Sequence, residues 1–258
     1  MTTQPKGPSE TPVGSFASGA DRYERLRPEH PADSVAFCVP GPGSDVADVG
    51  AGTGKLTRAL IAAGHRVVAI EPSSAMREVL TQALPDVSVH DASAEATGLP
   101  DRSVDVAVFA QSWHWVDVSA ASIELERIVR PRGYVSMLWT MLDDTVPWVE
   151  RVQAAMHGTS LAWQRRPGER EQLWETPPVG AFGAKERHTV SWSGRVTPAD
   201  LAAMVTTRSY YLESPPDEQE ALLARVLAAV AEELPPEAED DAVDLPWVTT
   251  SLRYRREP

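Results

Sequence analysis

The chain has little of three things: cysteine, long apolar runs and positive charge. Its single cysteine, Cys38, excludes an intrachain disulfide framework, and no apolar run approaches the roughly 20 residues that span a bilayer. Only 24 Lys and Arg residues stand against 37 Asp and Glu, which gives a formal net charge of -13. Because nucleic-acid affinity depends on Lys and Arg neutralising phosphates, this balance argues against DNA or RNA as a partner.

A leader sequence and a metal site are also not indicated. Residues 1–15 are rich in Thr, Pro, Gly and Ser and lack a basic stretch that leads into an apolar one, so we expect a disordered tail and a cytoplasmic protein. No pair of Cys or His residues has the spacing of a zinc site, and the six histidines are scattered. We therefore expect no metal and no membrane association.

The most informative stretch that is present is a glycine-rich turn. An apolar strand that begins at Val46 leads into three glycines at alternate positions, Gly50, Gly52 and Gly54, before a helix begins. Glycine lets the backbone turn tightly there, and it lets a ligand reach main-chain N–H groups where a Cβ would collide. The pattern predicts a nucleotide-binding turn.

An acidic residue follows at the distance that such a turn requires. A second apolar strand ends at Glu71, about 20 residues downstream, where a carboxylate accepts hydrogen bonds from ribose hydroxyls. A dinucleotide fingerprint needs a glycine three residues after Gly52, where Lys55 stands, which disfavours NAD and FAD. A phosphate loop needs glycine at Val49 and Ser or Thr at Leu56. Lys55 is therefore interpreted as a solvated residue of the first helical turn.

The remaining pattern, Asp-x-Gly-x-Gly-x-Gly from Asp48 onward together with Glu71, resembles motif I and the acidic loop of the class I S-adenosylmethionine-dependent methyltransferases. Residues 87–96 are similar to the third strand and Gly-Ser-Ala-Glu loop of that family, with alanine in place of the glycine. Residues 123–133 resemble the helix that ends in Arg-Pro-Gly-Gly, with arginine in place of the first glycine. The stretches occur in the family's order.

Two further stretches resemble one branch of the family. Residues 23–31 are similar to a Tyr-x-x-x-Arg-Pro-x-Tyr-Pro signature, with His30 in the position of the second tyrosine. A His-Trp-x-Asp run occupies 114–117, after the fourth predicted strand. Together they resemble the branch that contains trans-aconitate methyltransferases and many actinobacterial enzymes of unassigned substrate.

The predicted fold class is α/β, with a Rossmann-like, doubly wound, mostly parallel seven-stranded sheet and an added helical lid. We expect a disordered tail at 1–15, a cofactor-binding core at 16–144, a Trp-rich lid insertion at 145–184 and a completion of the core at 185–258. The predicted strands lie at 45–49, 66–70, 87–90, 104–110, 134–140, 186–192 and 247–255. The predicted helices lie at 54–63, 73–83, 118–130, 197–211 and 217–233.

The resemblance implies S-adenosylmethionine as cofactor. Residues of the N-terminal segment and of the loops after the first four strands are expected to bind it: Tyr23, Arg27, Asp48, Gly50, Ala51, Gly52, Thr53, Gly54, Glu71, Pro72, Met76, Ser93, Ala94, Glu95 and Gln111. Tyr23 and Arg27 are expected to hold the methionine carboxylate and Gln111 its ammonium group, while the loop at 93–95 holds the adenine edge.

An acceptor site is predicted after the fourth and fifth strands. His114 has the position and the pKa range of a general base, although acceptor positioning and a structural role stay open for it. Trp113, His114, Trp115 and Trp139 are expected to bind the substrate, as walls of a pocket for an apolar or cationic acceptor. Core packing is the alternative for each tryptophan.

The sequence therefore predicts methyl transfer from S-adenosylmethionine to a small-molecule acceptor by in-line displacement, carried out by a monomer or a homodimer. The nucleophilic atom of the acceptor is left open. Two alternatives stay open as well. One is a protein that binds S-adenosylmethionine without transferring its methyl group, and the other is a peptide or protein methyltransferase, which would need an open groove.

Overall fold

The computed structural model describes residues 24–157, 175–233 and 242–258; the predicted tail at 1–15 lies outside them. The strands are β1 (Asp45–Val49), β2 (Arg66–Ile70), β3 (Ser88–His90), β4 (Val104–Ala110), β5 (Val129–Leu142), β6 (Phe182–Val196) and β7 (Val243–Arg256). The helices are α1 (Ala32–Cys38), α2 (Lys55–Ala62), α3 (Ser74–Ala83), α4 (Val118–Ile128), α5 (Pro147–His157), α6 (Pro198–Ala203), α7 (Ser209–Leu212) and α8 (Pro216–Glu233). Short 3-10 helices lie at Trp113–Trp115 and Met204–Thr207.

All seven strands form one sheet in the order β3-β2-β1-β4-β5-β7-β6. The pairings from β3 to β5 are parallel, and β7 runs antiparallel to both β5 and β6. The strand order reverses between β1 and β4, which is the switch point where open α/β sheets bind ligands at the carboxyl ends of their strands. The predicted fold class is confirmed.

Apolar clusters cover both faces of the parallel part of the sheet. On one face, α4 packs Leu125 and Ile128 against residues of β4 and β5 such as Phe109. On the other face, α1 and α2 pack side chains that include Val35 and Leu60. A strand that is buried on both faces needs a continuous apolar run, which explains the apolar residues of β4 from Val106 to Ala110.

A third apolar cluster joins α5, α6, the 3-10 helix at Met204–Thr207 and α8 into a helical layer. The layer packs on the carboxyl end of β5, through Leu142, and on the first residues of β7, through Trp247. It draws on the segment predicted as a lid and also on the segment predicted to complete the core. The predicted division between lid and core stays a prediction.

Several element boundaries differ from the prediction, and each difference has a local cause. The helix predicted at 118–130 ends at Ile128, since Pro131 disfavours helical geometry in the residue before it. The helix predicted at 197–211 is interrupted at Arg208, whose backbone is extended. Strands β6 and β7 are longer than predicted because half-exposed residues alternate along them, so their polar ends carry no strong apolar signal.

Candidate functional site

The three glycines of the turn after β1 have left-handed backbones, each in a different environment. A Cβ at Gly50 would lie 2.5 Å from Cβ of Ser112, so this glycine allows the turn to approach the loop after β4. A Cβ at Gly54 would lie 2.9 Å from Cγ of Leu80, so this glycine allows α2 and α3 to pack closely. A Cβ at Gly52 would meet nothing within 4 Å and would point into open space. Gly52 therefore borders the ligand side of the turn.

Glu71, at the end of β2, joins the glycine turn to the loop that leads into α3. Its Oε2 accepts a hydrogen bond of 2.8 Å from the backbone N–H of Gly52, and its Oε1 accepts one of 2.8 Å from that of Ser73. Burial raises the pKa of this carboxyl, while the two backbone hydrogen bonds oppose the rise. Glu71 is placed where the sequence predicted a ribose-binding carboxylate.

Asp48 lies one layer deeper, beneath the turn. The residue is fully buried, and its Oδ2 accepts a hydrogen bond of 2.6 Å from Oγ1 of Thr57. Burial raises the pKa of Asp48 to about 7, although the bond from Thr57 opposes this. Asp48 and Gly54 were predicted to contact the cofactor, but neither lines a cavity described below, since both face the packed interior. Their contribution is to the shape of the turn.

A cavity of about 260 Å³ opens at the carboxyl ends of β1, β2 and β4. Its lining combines predicted cofactor residues with their neighbours: Val49, Gly50, Gly52, Glu71, Pro72, Ser73, Met76, Ser93, Ala94, Glu95, Phe109, Ala110, Gln111, Ser112, Trp115 and Val116. The part around the loops that follow β2 and β3 is called the Glu71 end. Nine of the fifteen predicted cofactor residues lie on this cavity.

Two contacts hold the loops of the Glu71 end in place. Arg77 of α3 donates to the carbonyl oxygen of Glu71 at 2.8 Å and to Oδ2 of Asp91 at 2.7 Å, so it ties the loop after β2 to the loop after β3. Oε1 of Glu95 accepts from the backbone N–H of Asp117 at 2.9 Å. This bond fixes the loop at 93–95 against the first turn of α4.

A second cavity, of about 60 Å³, continues from the first past the glycine turn. It is lined by Arg27, Pro28, His30, Gly50, Ala51, Gly52, Thr53, Lys55, Leu56, Ala110, Gln111 and Thr140. Four residues, Gly50, Gly52, Ala110 and Gln111, line both cavities. We therefore treat them as joined cavities and call the second part the Arg27 end.

Gln111 is held in place at the junction of the joined cavities. Its backbone has a φ of +56°, in the left-handed region that non-glycine residues seldom adopt. Its side-chain Nε2 donates to the carbonyl oxygen of Thr140 at 2.7 Å, and its backbone N–H donates to Leu138 at 3.0 Å. These bonds fix a side-chain amide between the ends of β4 and β5, where the sequence predicted a group for the methionine ammonium.

Residues 24–30, called the strap, close the Arg27 end from outside the sheet. Nη2 of Arg27 donates to the carbonyl oxygen of Thr207 at 3.2 Å, which joins the strap to the helical layer. Lys55, predicted to be solvated, is buried instead against the strap, where its Nζ lies 2.9 Å from Oε1 of Glu29. That prediction was wrong, since it considered the helix without the strap. Tyr23 lies outside the described residues.

The three tryptophans predicted to bind substrate have different positions. Trp115 lines the larger cavity with 45% of its surface exposed. Trp113 is 1% exposed, stacks edge to face on Phe109 and donates its indole N–H to Thr176 at 2.6 Å. Trp139 is 4% exposed and belongs to the apolar cluster under α4. The structure therefore brings only Trp115 to the described cavities, while Trp113 and Trp139 pack in the core. Substrate binding by these tryptophans stays a prediction.

His114, predicted as the general base, sits in the 3-10 helix between the two tryptophans. Its ring centroid lies 4.8 Å from that of Trp115, but the residue is not part of the lining of either joined cavity. Burial lowers the pKa of His114 to about 4, so the ring is neutral at neutral pH. His114 is therefore not placed at the joined cavities. Its role as a base stays a prediction.

Several lining residues were missed by the sequence interpretation. Ser112 directly follows Gln111, and its hydroxyl donates to the carbonyl oxygen of Val49 at 2.7 Å. Ser73 binds Glu71 through its backbone, and Thr140 lies within the predicted fifth strand. Ser112 could have been found from the rule that ligands bind beyond strand ends.

The described residues contain neither a metal cluster nor a helix that could span a membrane. Among the residues that the structure describes, no group of three or more His, Cys, Asp or Glu side chains could hold a metal ion. Within the same ranges, no helix has the length and hydropathy required to cross a bilayer.

Comparisons with known sequences agree with this geometry. A family model described as a methyltransferase domain matches residues 47–137, the segment from β1 into β5. An uncharacterized methyltransferase of Mycobacterium tuberculosis is 36% identical over 239 residues, which cover 93% of this chain and 94% of the relative. An uncharacterized methyltransferase-like protein of Schizosaccharomyces pombe is 29% identical over 252 residues, covering 95% of this chain and 96% of its own.

Solved structures give the same result for the fold. A structure from Anaeromyxobacter dehalogenans, named as a candidate type II methyltransferase, superposes with a TM-score of 0.68 at 26% identity, covering 89% of this chain and 97% of that one. Phosphoethanolamine N-methyltransferase 2 of Haemonchus contortus, in complex with phosphomonomethylethanolamine and S-adenosylhomocysteine, superposes with a TM-score of 0.52 at 14% identity, covering 94% of this chain and 57% of that one. The second likeness shows the fold alone.

Proposed function

The chain belongs to the class I S-adenosylmethionine-dependent methyltransferase family, and from this premise we propose that it binds S-adenosylmethionine in the joined cavities and transfers the methyl group to a small-molecule acceptor. The observation that carries the proposal is that the two cavities adjoin each other and share Gly50, Gly52, Ala110 and Gln111 in their linings. A carboxylate stands at one end and a guanidinium at the other. The cofactor has matching groups: hydroxyls on its ribose, and a carboxylate at the end of its amino-acid portion.

The residues at the two ends suit those groups. The carboxylate of Glu71 would accept hydrogen bonds from the ribose hydroxyls, in charge-assisted bonds stronger than those between neutral groups. Arg27 would hold the carboxylate of the methionine portion, and Oε1 of Gln111 would accept from its ammonium group, because Nε2 is already committed to Thr140. The fold relative from Haemonchus contortus binds S-adenosylhomocysteine, the demethylated product of the same cofactor.

When bound, the cofactor supplies an electrophilic methyl group on a positively charged sulfur. In the transfer, the bond from sulfur to the methyl carbon breaks while a bond from the acceptor atom to that carbon forms. The protein contributes position: an acceptor atom held about 3 Å from the methyl carbon and in line with sulfur can gain roughly 7–11 kcal/mol from orientation. The bond from Gln111 to Thr140 and the left-handed turn at Gln111 would fix the edge of that site.

Two features support a small acceptor. The helical layer packs on the carboxyl end of β5 and joins the strap through Leu26, which favours an enclosed site over a long groove. The net charge of -13 argues against nucleic acid. That this chain belongs to the branch that contains trans-aconitate methyltransferases stays a prediction.

The proposal is tested with the full chain in two steps. Calorimetric titration with S-adenosylhomocysteine measures binding, and we expect saturable binding to one site. Incubation with methyl-labelled S-adenosylmethionine and an extract of the host, divided by size, then locates the label. Label in the small-molecule fraction supports the proposal. Label in the protein fraction would replace it with a protein methyltransferase, and binding without any transfer would replace it with a binding protein.

A further inference from the structure

The strap lies between two empty spaces. On its inner side is the Arg27 end of the joined cavities. On another side is a wider groove of about 650 Å³ between the strap and the helical layer, which residues 24–29 line together with Trp192, Met204 and Trp247. Leu26 is the one residue of the strap that is deeply buried, in the cluster of the helical layer. Apolar packing therefore holds the strap at one point, and its polar contacts must supply the rest.

Three of those polar contacts converge on Glu24. Its Oε2 accepts a hydrogen bond of 2.5 Å from Oγ1 of Thr53, the residue after Gly52 in the glycine turn. Its Oε1 accepts one of 2.9 Å from Nη2 of Arg58 and lies 3.6 Å from Nζ of Lys55. These partners all belong to the turn and to α2, so a single carboxylate joins the strap to the element that shapes the cavity.

The second acidic residue of the strap contributes less. Glu29 pairs with Lys55 at 2.9 Å and with Arg58 at 3.2 Å, but 61% of its side chain is exposed, against 26% for Glu24. An exposed ion pair is worth little because water and salt screen it, whereas a partly buried carboxylate with several donors is held more firmly. Glu24 is therefore the main point of attachment.

We propose that Glu24 is a positioning residue that latches the strap onto the glycine turn and thereby limits how fast the cofactor is exchanged. The inference rests on the proposed function, since it requires the cofactor in the joined cavities. When the latch is closed, Arg27 lines the cavity and Thr53 is held in place beside Gly52. Because a groove of about 650 Å³ also borders the strap, the strap has space to move once the bonds of Glu24 break.

The test measures release of S-adenosylhomocysteine from the full chain by rapid mixing with excess competitor. We expect Glu24→Gln, which keeps the size of the side chain but removes its charge, to release the molecule about tenfold faster, as for loss of charge-assisted bonds in a partly exposed site. Association should change by less than about twofold, because the cavity itself is intact. Release from the wild type should accelerate between about 0.05 M and about 0.5 M salt, and release from the variant should respond less.

A matched control and a double-mutant cycle separate a latch from general loosening. Glu233→Gln removes the ion pair with Arg151 on the surface of the helical layer and should leave the release rate unchanged. The effects of Glu24→Gln and Arg58→Gln should be less than additive, since both variants break the contact between Glu24 and Arg58. Additive effects, or a wild-type release rate in Glu24→Gln, would overturn the latch. If Glu24→Gln does not fold, a release rate of the wild type that is independent of salt would overturn it instead. Failure of the wild type to bind S-adenosylhomocysteine at all would overturn the proposed function first.

Discussion

The two ends of the joined cavities differ in how far apart their residues lie along the chain. At the Glu71 end, Glu71 and Ser93 belong to loops that directly follow consecutive strands of the parallel sheet. At the Arg27 end, Arg27, Gln111 and Thr140 come from the strap, from the end of β4 and from β5, and they meet only after the sheet has formed. A local motif can encode the first end by itself. The second depends on contacts between residues 29 to 180 positions apart, such as the bonds from Gln111 to Thr140 and from Arg27 to Thr207.

This difference suggests a division of work. The Glu71 end consists of short loops tied together by Arg77 and by backbone bonds to carboxylates, so it is expected to be preorganised. The Arg27 end depends on a strap that polar contacts hold, so it is expected to open and close. The five variants below test the comparison, from the largest expected effect to the smallest.

Gly52→Val should have the largest effect, because Gly52 lies where the two ends meet. A valine there has open space in the protein but would occupy space that the ligand needs, so we expect cofactor affinity to fall by about 100-fold or more, roughly 3 kcal/mol. Gly41→Val is the matched control, since Gly41 also has a left-handed backbone and no atom within 4 Å of an added Cβ. Calorimetry should find normal affinity in the control only. Normal affinity in Gly52→Val would mean that the glycine turn has been misassigned.

Glu71→Ala should weaken binding at the preorganised end. We expect S-adenosylmethionine affinity to fall about tenfold or more, in keeping with roughly 1.5–3 kcal/mol for hydrogen bonds to a charged group. The affinity of Glu71→Gln, whose side chain can still accept one bond, should lie between that of Glu71→Ala and that of the wild type. Calorimetric titration decides, and wild-type affinity in Glu71→Ala would remove this carboxylate from the site.

Arg27→Met should weaken binding at the strap end by about tenfold, because a charge-assisted contact to the ligand carboxylate is lost. Arg25→Met is the control on the same strap: 60% of the Arg25 side chain is exposed and its pair with Asp200 lies at the surface, so the change should be below about twofold. Methylthioadenosine, which lacks the amino-acid portion, sharpens the comparison. Its affinity should be lowered by Glu71→Ala and unaffected by Arg27→Met; sensitivity to both changes would contradict the assignment of the two ends.

Asp48→Asn should change the dependence of stability on pH. Burial raises the pKa of Asp48 to about 7, well above that of an exposed aspartate, so ionisation costs the folded state. The contribution of Asp48 to the stability of the wild type is therefore fully present below the pKa of an aspartate in the unfolded chain, and it is lost as pH rises towards 7. Asparagine cannot ionise and keeps an acceptor for Thr57. We expect the Tm of the variant relative to the wild type to rise by about 4 °C or more from pH 5 to pH 8, and a constant difference would contradict a raised pKa.

His114→Gln should have the smallest effect. With a pKa of about 4, the ring is neutral from about pH 6 to about pH 9, and it lies outside the lining of both ends. Once an acceptor is known, single-turnover rates should stay within about threefold of the wild type, and the pH profile should keep its shape. A fall of about 10²–10⁴-fold together with loss of the acidic limb would instead establish His114 as the general base.

The parts of the site that the sequence predicted well are those with a local signal. The glycine turn and Glu71 lie on elements whose predicted bounds agree with the structure, including β1, β2 and β4. Buried parallel strands are continuous apolar runs that end at polar or glycine residues, so both their ends and the loops after them can be read from the chain.

The parts that were missed depend on side-chain direction or on distant contacts. Trp139 and Thr140 are neighbours in β5, and neighbours in a strand point to opposite faces, so the two residues cannot both face the cavity. Thr140 reaches the Arg27 end and Trp139 packs in the core. The burial of Lys55 likewise follows from a strap more than twenty residues earlier, which no local pattern contains.

The position of β7 between β5 and β6 has a consequence for how the chain assembles. Strand β6 leaves the ribosome before β7, yet in the described sheet its pairing partner is β7. A nascent chain that has already produced β6 must therefore keep fifteen residues of strand-forming sequence unpaired until β7 is synthesised. The pairing of β5 with β7 joins residues more than a hundred positions apart, and contacts between residues so distant in the sequence form slowly. During that interval an unpaired strand edge is open to other chains. We therefore expect chaperones to matter most in the stage of biosynthesis before β6 pairs with β7.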